Sequence, residues 1–231
     1  MARQWEGHWE VLSKMITQGS EEWFAQRLGH VTASRMSDVL AKGKSGEAAT
    51  RAKYRMQIIA ERITGRVADS FSSAAMEWGT EQEPFARMRY AATTGRIVDE
   101  AEFYTHPTIK WLGASPDGLL NDTGGLLEIK APNTQTHLGY MLDKKAPAAY
   151  INQMQTQMWV TGRAWCDFVS YDPRVPEHLQ LFIVRLNRDD ALIEKMETEV
   201  RKFLSEVQDA LNQLFSIEVD DNLIQLENKN V

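Results

Sequence analysis

Near the middle of the chain two carboxylates and an amine stand within fourteen positions of one another. They are Asp117, in Ser115-Pro116-Asp117-Gly118-Leu119-Leu120, and then Glu128 and Lys130, in Leu126-Leu127-Glu128-Ile129-Lys130. Two converging carboxylates prefer a hard divalent cation with oxygen ligands, and Mg²⁺ is the natural candidate, with Mn²⁺ as a substitute. Such a cation lowers the pKa of a bound water and offsets charge on a phosphate, while a neighbouring ammonium orients or activates the nucleophile. That is the chemistry of phosphodiester hydrolysis.

The elements that must position these groups can be read locally. Leu119-Leu120 and Leu126-Leu127, separated by a loop ending in Gly124-Gly125, fit a β-hairpin that sets Glu128 across from Asp117. Strand side chains alternate, so Glu128 and Lys130 share a face while Ile129 turns away and leaves its carbonyl as a further ligand. The competing reading is a turn capped by Asp-Gly with a surface Glu128–Lys130 ion pair. Against it stands the apolar setting of Glu128, because a buried charge is costly unless paired or metal-bound.

A chain of 231 residues, 43% hydrophobic and 25% charged, can form one large core. The expectation is a single domain over 1–215 and an acidic tail over 216–231. A single cysteine, Cys166, excludes an internal disulfide and reads as a buried strand residue. No apolar window approaches bilayer length, and with no signal core at the N-terminus the expected location is cytoplasmic. The net charge of −6 speaks superficially against a polyanionic substrate. However, residues 187–231 carry 5 basic and 11 acidic side chains, which accounts for the whole excess. Between Lys42 and Arg66 seven basic residues face only Glu47 and Glu61, so this stretch reads either as a phosphate-contacting surface or as a solvated helix face.

Further blocks join the hairpin in order: Trp23-Phe24-Ala25-Gln26-Arg27-Leu28-Gly29 with Val31-Thr32-Ala33-Ser34; Trp78-Gly79-Thr80-Glu81-Gln82-Glu83; Tyr150-Ile151-Asn152-Gln153-Met154-Gln155; and Tyr171-Asp172-Pro173. The ordered set resembles the lambda exonuclease-like (YqaJ-like) viral recombinase family of the PD-(D/E)xK nuclease superfamily, from about Glu22 to Pro173. The resemblance implies an α/β, restriction-endonuclease-like core with a mixed central sheet flanked by helices. It implies Mg²⁺ on Asp117, Glu128 and the Ile129 carbonyl, Glu83 as a further acid beside the metal, Lys130 at the attacking water, and Gln153 close to that lysine. It implies DNA contacts from Arg27 to a 5′-phosphate, from Thr32, Ser34 and Ser115 around it, from Lys44, and from Met76 as a wedge in the duplex. The family's activity is 5′-to-3′ digestion of one strand of linear double-stranded DNA, leaving 3′ overhangs for recombination. Its partners are two more copies in a ring-shaped trimer and a single-strand annealing protein. One departure is Thr136, where the family carries an arginine, so Lys144 or Lys145 would have to replace that contact. Alternatives are a structure-specific or restriction-type endonuclease on the same core, or a non-catalytic DNA-binding module.

Periodicity and caps predict helices from Ser20 to Gly29, Glu47 to Ile63, Ala74 to Thr93, Thr134 to Leu142, Ala148 to Thr161 and Arg188 to Phe215. Ser34 is an alternative N-cap for a helix over 35–40. Strands are expected at Arg96–His106 and Lys110–Ala114, continuing into the hairpin as one antiparallel sheet, and at Ala164–Tyr171 and Leu179–Leu186. Glu77 and Glu81 read as exposed acids, Gln155 and Gln157 as helix-surface residues, and the histidines as structural or surface residues, since no pair has metal spacing.

Overall fold

Strand pairing around the hairpin sets the architecture of the computed structural model, which describes residues 19–44, 46–67 and 73–217. Strands β4 (Gly118–Leu120) and β5 (Gly125–Lys130) pair antiparallel, β5 pairs parallel with β6 (Trp165–Tyr171), and β6 pairs antiparallel with β7 (Leu181–Asn187). The result is a four-stranded mixed sheet in the order β4-β5-β6-β7. The parallel β5–β6 pair requires a crossover. Helices α5 (Thr134–Asp143) and α6 (Ala148–Thr161) supply it.

The single antiparallel sheet expected upstream is not what forms. Strands β1 (Val31–Thr32), β2 (Tyr104–Thr105) and β3 (Leu112–Ala114) make a separate sheet in the order β1-β3-β2, with β1 parallel to β3. Of the stretch 96–106 only β2 is a strand, and a lone bridge from Asp99 to Leu119 touches the larger sheet. Pro116, between β3 and β4, offers no N–H to carry a ladder from one sheet into the other.

The alternation of β5 decides what faces the site. Leu127 and Ile129 pack with Ala86 and Tyr90 of α4 (Ala74–Thr94), whereas Leu126 packs with Met154 and Met158 of α6. Glu128 and Lys130 therefore point to the α6 side. Cys166 is buried in that second cluster, as expected.

Helix α1 (Glu21–Arg27) starts at Ser20, whose hydroxyl accepts the Trp23 N–H at 3.1 Å, and the chain turns at Gly29 with φ +68°. Only glycine takes that dihedral cheaply. A Cβ there would also meet Arg62 of α3 (Ala49–Thr64) at 2.7 Å. Ser34 caps nothing, because it lies inside the 3₁₀ turn Ala33–Arg35 that runs into α2 (Met36–Val39). Helix α7 (Asp190–Phe215) lays Met196, Val200, Phe203 and Val207 against Tyr54, Ile58 and Ile59 of α3, in a core cluster separate from the larger sheet.

The basic stretch 42–66 is corrected in part. Arg51 is buried, and Arg51 and Arg55 both reach Glu47 and Glu206 of α7, so these two arginines tie α3 to α7. Among the described residues no helix is long and apolar enough to cross a membrane. The tail expected over 216–231 lies, from residue 218 on, outside the described residues.

Candidate functional site

The hairpin register places Asp117 just before the Gly118–Leu127 pair, and the Asp117 N–H donates to the Leu127 carbonyl at 3.0 Å. Asp117 Oδ2 accepts the Ile129 N–H at 2.6 Å. Its side chain is thereby fixed over β5, beside Glu128 and Lys130. Glu128 is 0% exposed. Its Oε1 accepts from Lys130 Nζ and from Gln153 Nε2 (2.6 Å), and its Oε2 accepts from Gln157 Nε2 (2.6 Å). Gln153 and Gln157 come from one face of α6, a turn apart.

A cleft of about 480 Å³ opens over this cluster, lined by Asp117, Ile129, Lys130, Gln153 and Glu83 together with Arg27, Ser34, Ser115 and Met76. Ile129 lines it although its side chain packs in the opposite cluster. Arg27 Nη1 donates to Ser115 Oγ at 3.1 Å, and its guanidinium lies 3.9 Å from the Trp23 ring centroid. Thr32 lines an adjoining cavity that shares Arg27, Ser34 and Met76, and its hydroxyl lies 3.3 Å from that of Ser34. Lys44 is exposed and lines neither. Thus every expected site residue except Lys44 falls in, under or beside one cleft.

Residues 22–164, more than half the chain, match the YqaJ-like viral recombinase domain. The chain belongs to that family. Among solved structures, an alkaline exonuclease from Laribacter hongkongensis is 53% identical, with a TM-score of 0.78 over 84% of this chain and 96% of that one. The same enzyme has been solved in complex with dAMP, with a TM-score of 0.79. A phage-related exonuclease from Haemophilus somnus 129PT shares the fold at 19% identity and a TM-score of 0.64. An uncharacterized protein of Acanthamoeba polyphaga mimivirus is 29% identical over 174 residues, which is 69% of this chain but only 30% of that protein. The chain therefore spans about a third of the length of this curated relative.

The electrostatics of this YqaJ-like site are those of crowded acids. Burial, then the charge of Asp117, pushes the Glu83 carboxyl up to about 7, even though Arg87 Nη2 donates to it at 2.6 Å. Burial and Asp117 raise the Glu128 pKa as well. Lys130 goes the other way: burial opposes its charge, but Glu128 and Asp117 outweigh that and hold the ammonium above the usual lysine range. Burial lowers Arg27 to about 10, which leaves it charged at neutral pH.

Crowded carboxylates lining a cleft fit a divalent cation. Among the described residues no three His, Cys, Asp or Glu side chains form a ligating cluster. An ion there would be held by Asp117, Glu128 and the Ile129 carbonyl, with water completing its shell. Few carboxylates and several neutral oxygens is the pattern Mg²⁺ accepts. Glu83, already paired with Arg87, is the poorer ligand.

Two expectations are corrected. Gln155 and Gln157 are not surface residues: Gln155 donates to the Asn187 carbonyl at 2.9 Å, and Gln157 touches Glu128. Their burial follows from the crossover, which wedges α6 between the two sheets; the fourfold spacing of Gln153 and Gln157 was the signal available in the sequence. Helix α4 exposes Met76, Phe85 and Met88 at 59%, 52% and 60%, and the burial falls to Ala86 and Tyr90. The histidines do pack structurally where they are buried: His137 bonds Ser170 Oγ and the Leu179 carbonyl, both at 2.7 Å.

Proposed function

We propose that the protein is a metal-dependent deoxyribonuclease of the PD-(D/E)xK type that digests one strand of linear double-stranded DNA from its 5′ end, leaving 3′ overhangs for recombination by strand annealing. The observation that carries this reading is the single cleft shared by Asp117, Lys130 and Gln153, with Glu128 beneath, and by Arg27 with Ser34 and Ser115. Its support from relatives is the 53% identity to an alkaline exonuclease.

In this reading Asp117, Glu128 and the Ile129 carbonyl hold Mg²⁺ or Mn²⁺. The chemistry such an ion supplies is acidification of water and compensation of phosphate charge. Lys130, held as an ammonium by Glu128, orients the attacking water and donates to the developing negative charge. Gln153 fixes the carboxylate that keeps Lys130 in place. Arg27, stacked on Trp23, presents a planar fork that suits a terminal phosphate, with the Ser115 and Ser34 hydroxyls completing the cradle. Met76, exposed at the rim, suits an apolar wedge against a base step. Thr32 supports Ser34, and Lys44 is left to a looser contact with the DNA backbone.

Exposed Phe85 and Met88 on α4 support self-association, which we take to be a ring of three copies, and the annealing protein is a further partner. The test is incubation with Mg²⁺ and linear DNA bearing or lacking a 5′-phosphate, beside a closed circle. Rapid loss of the phosphorylated linear form alone is expected. Cutting of the circle would replace this reading with an endonuclease, and equal attack on both linear forms would remove the role of Arg27.

A further inference from the structure

Gln157 is an anomaly in its helix. It is 0% exposed, between Met154 and Met158, which are also fully buried. Its Nε2 donates to Glu128 Oε2 at 2.6 Å and lies 3.4 Å from the Ser115 carbonyl. Its Oε1 is buried and has no hydrogen-bond partner among the described residues. A flip of the amide would not help, because it would set Oε1 against a carboxylate oxygen and a carbonyl oxygen. The residue thus leaves a buried carbonyl unsatisfied in order to give one donor to Glu128, a trade that stability alone does not favour.

What the trade secures is the orientation of the carboxylate. Lys130 and Gln153 both act on Oε1 of Glu128, and two donors on one oxygen leave the group free to rock about its last torsion. The single donor on Oε2 stops that motion. We propose that Gln157 is a positioning residue for the divalent cation, holding the Glu128 carboxylate in the orientation in which it would ligate the ion. This rests on the metal-dependent reading above and goes beyond it, because Gln157 touches neither the cleft nor any reacting group. Groups that orient a ligand in this way typically control metal affinity by about tenfold to a hundredfold.

The experiment uses the full chain and Mg²⁺ alone, without DNA, with Asp117→Asn as the reference for a lost ligand. Calorimetric titration of Gln157→Leu should show Mg²⁺ affinity weakened about tenfold. Melting of the same variant in EDTA should stay within a few degrees of the parent chain, because losing the donor to Glu128 Oε2 is offset by removing the unsatisfied Gln157 carbonyl. In turnover of linear DNA the half-saturating Mg²⁺ concentration should rise by the same factor, while the rate at saturating Mg²⁺ stays within a few-fold. A merely structural glutamine would give the opposite pattern, a lower midpoint in EDTA with unchanged Mg²⁺ affinity, and that result overturns the proposal. If Gln157→Leu does not fold, Gln157→Met, closer in length to glutamine, carries the same three measurements, and failure of both to fold counts against the claim that stability does not need this residue. If Asp117→Asn binds Mg²⁺ like the parent, the metal reading itself fails. If only Asp117→Asn loses binding, that reading stands and the role of Gln157 falls.

Discussion

Glu83 shows how a single side chain can report on the charge of the whole site. Its folded pKa of about 7 lies above the ordinary 4.5, so the folded chain favours the protonated acid. The sign follows by linkage: the stability from this group is complete below about pH 4.5 and is lost as pH rises through about 7. Glu83→Gln should therefore raise the melting midpoint by a few degrees in EDTA near pH 8, worth about 1–3 kcal/mol, with no gain near pH 4. Differential scanning calorimetry at the two pH values checks it, and a gain of equal size at both would show that burial of the charge beside Asp117 is not the cause. Lys130→Met tests the ammonium. It should lower the nuclease rate by about a hundredfold or more at saturating Mg²⁺, since the loss is of transition-state stabilisation rather than binding.

At the scale of elements, the segment that follows Lys130 is tied to the C-terminal end of β6, beside it in the parallel pair, through Asp172. Thr134 Oγ1 donates to Asp172 Oδ2 at 2.5 Å, Arg174 Nε donates to Oδ1 at 2.7 Å, and Arg174 Nη2 reaches the Pro132 carbonyl at 2.9 Å. Burial opposes the Asp172 charge, but these donors outweigh it and hold the acid down at about 2. The stability so gained is present above about pH 3.8 and is lost as pH falls through about 2. Asp172→Asn should cost about 1–3 kcal/mol at neutral pH, measured by urea unfolding, and its deficit should shrink as the parent chain is acidified. The Tyr171-Asp172-Pro173 block thus holds the start of α5, and with it the position of the strand end that bears Lys130.

For the whole molecule, charge is divided between the cleft and the C-terminal segment. The excess of acid lies in residues 187–231, whereas Arg27 and Lys130 serve the cleft. Removing residues 218–231 deletes four acids and one lysine and takes the net charge from −6 to −3. Binding of non-cognate duplex should tighten several-fold at about 25 mM salt and match the full chain at about 300 mM, where the Debye length is only a few ångströms. Fluorescence anisotropy at the two salt concentrations decides it; a difference that persists at high salt would mean the segment acts by contact rather than by charge.

The sequence by itself determined what depends on near neighbours. The two-residue period of β5 put Glu128 and Lys130 on one face, the glycines after Thr123 closed the hairpin, and Ser20 and Gly29 marked the ends of α1 through their backbone preferences. The cleft residues Arg27, Ser34, Ser115 and Glu83 were named through the family motif, and nothing in their local pattern foretold a shared cavity. Only the tertiary structure decided the split into two sheets, the parallel β5–β6 pair, the burial of Gln157 and the capture of Arg51 and Arg55 by Glu206. Each of these joins residues far apart in the chain. Short-range periodicity says which face of an element is apolar, but which partner covers that face is settled by how the crossover helices pack.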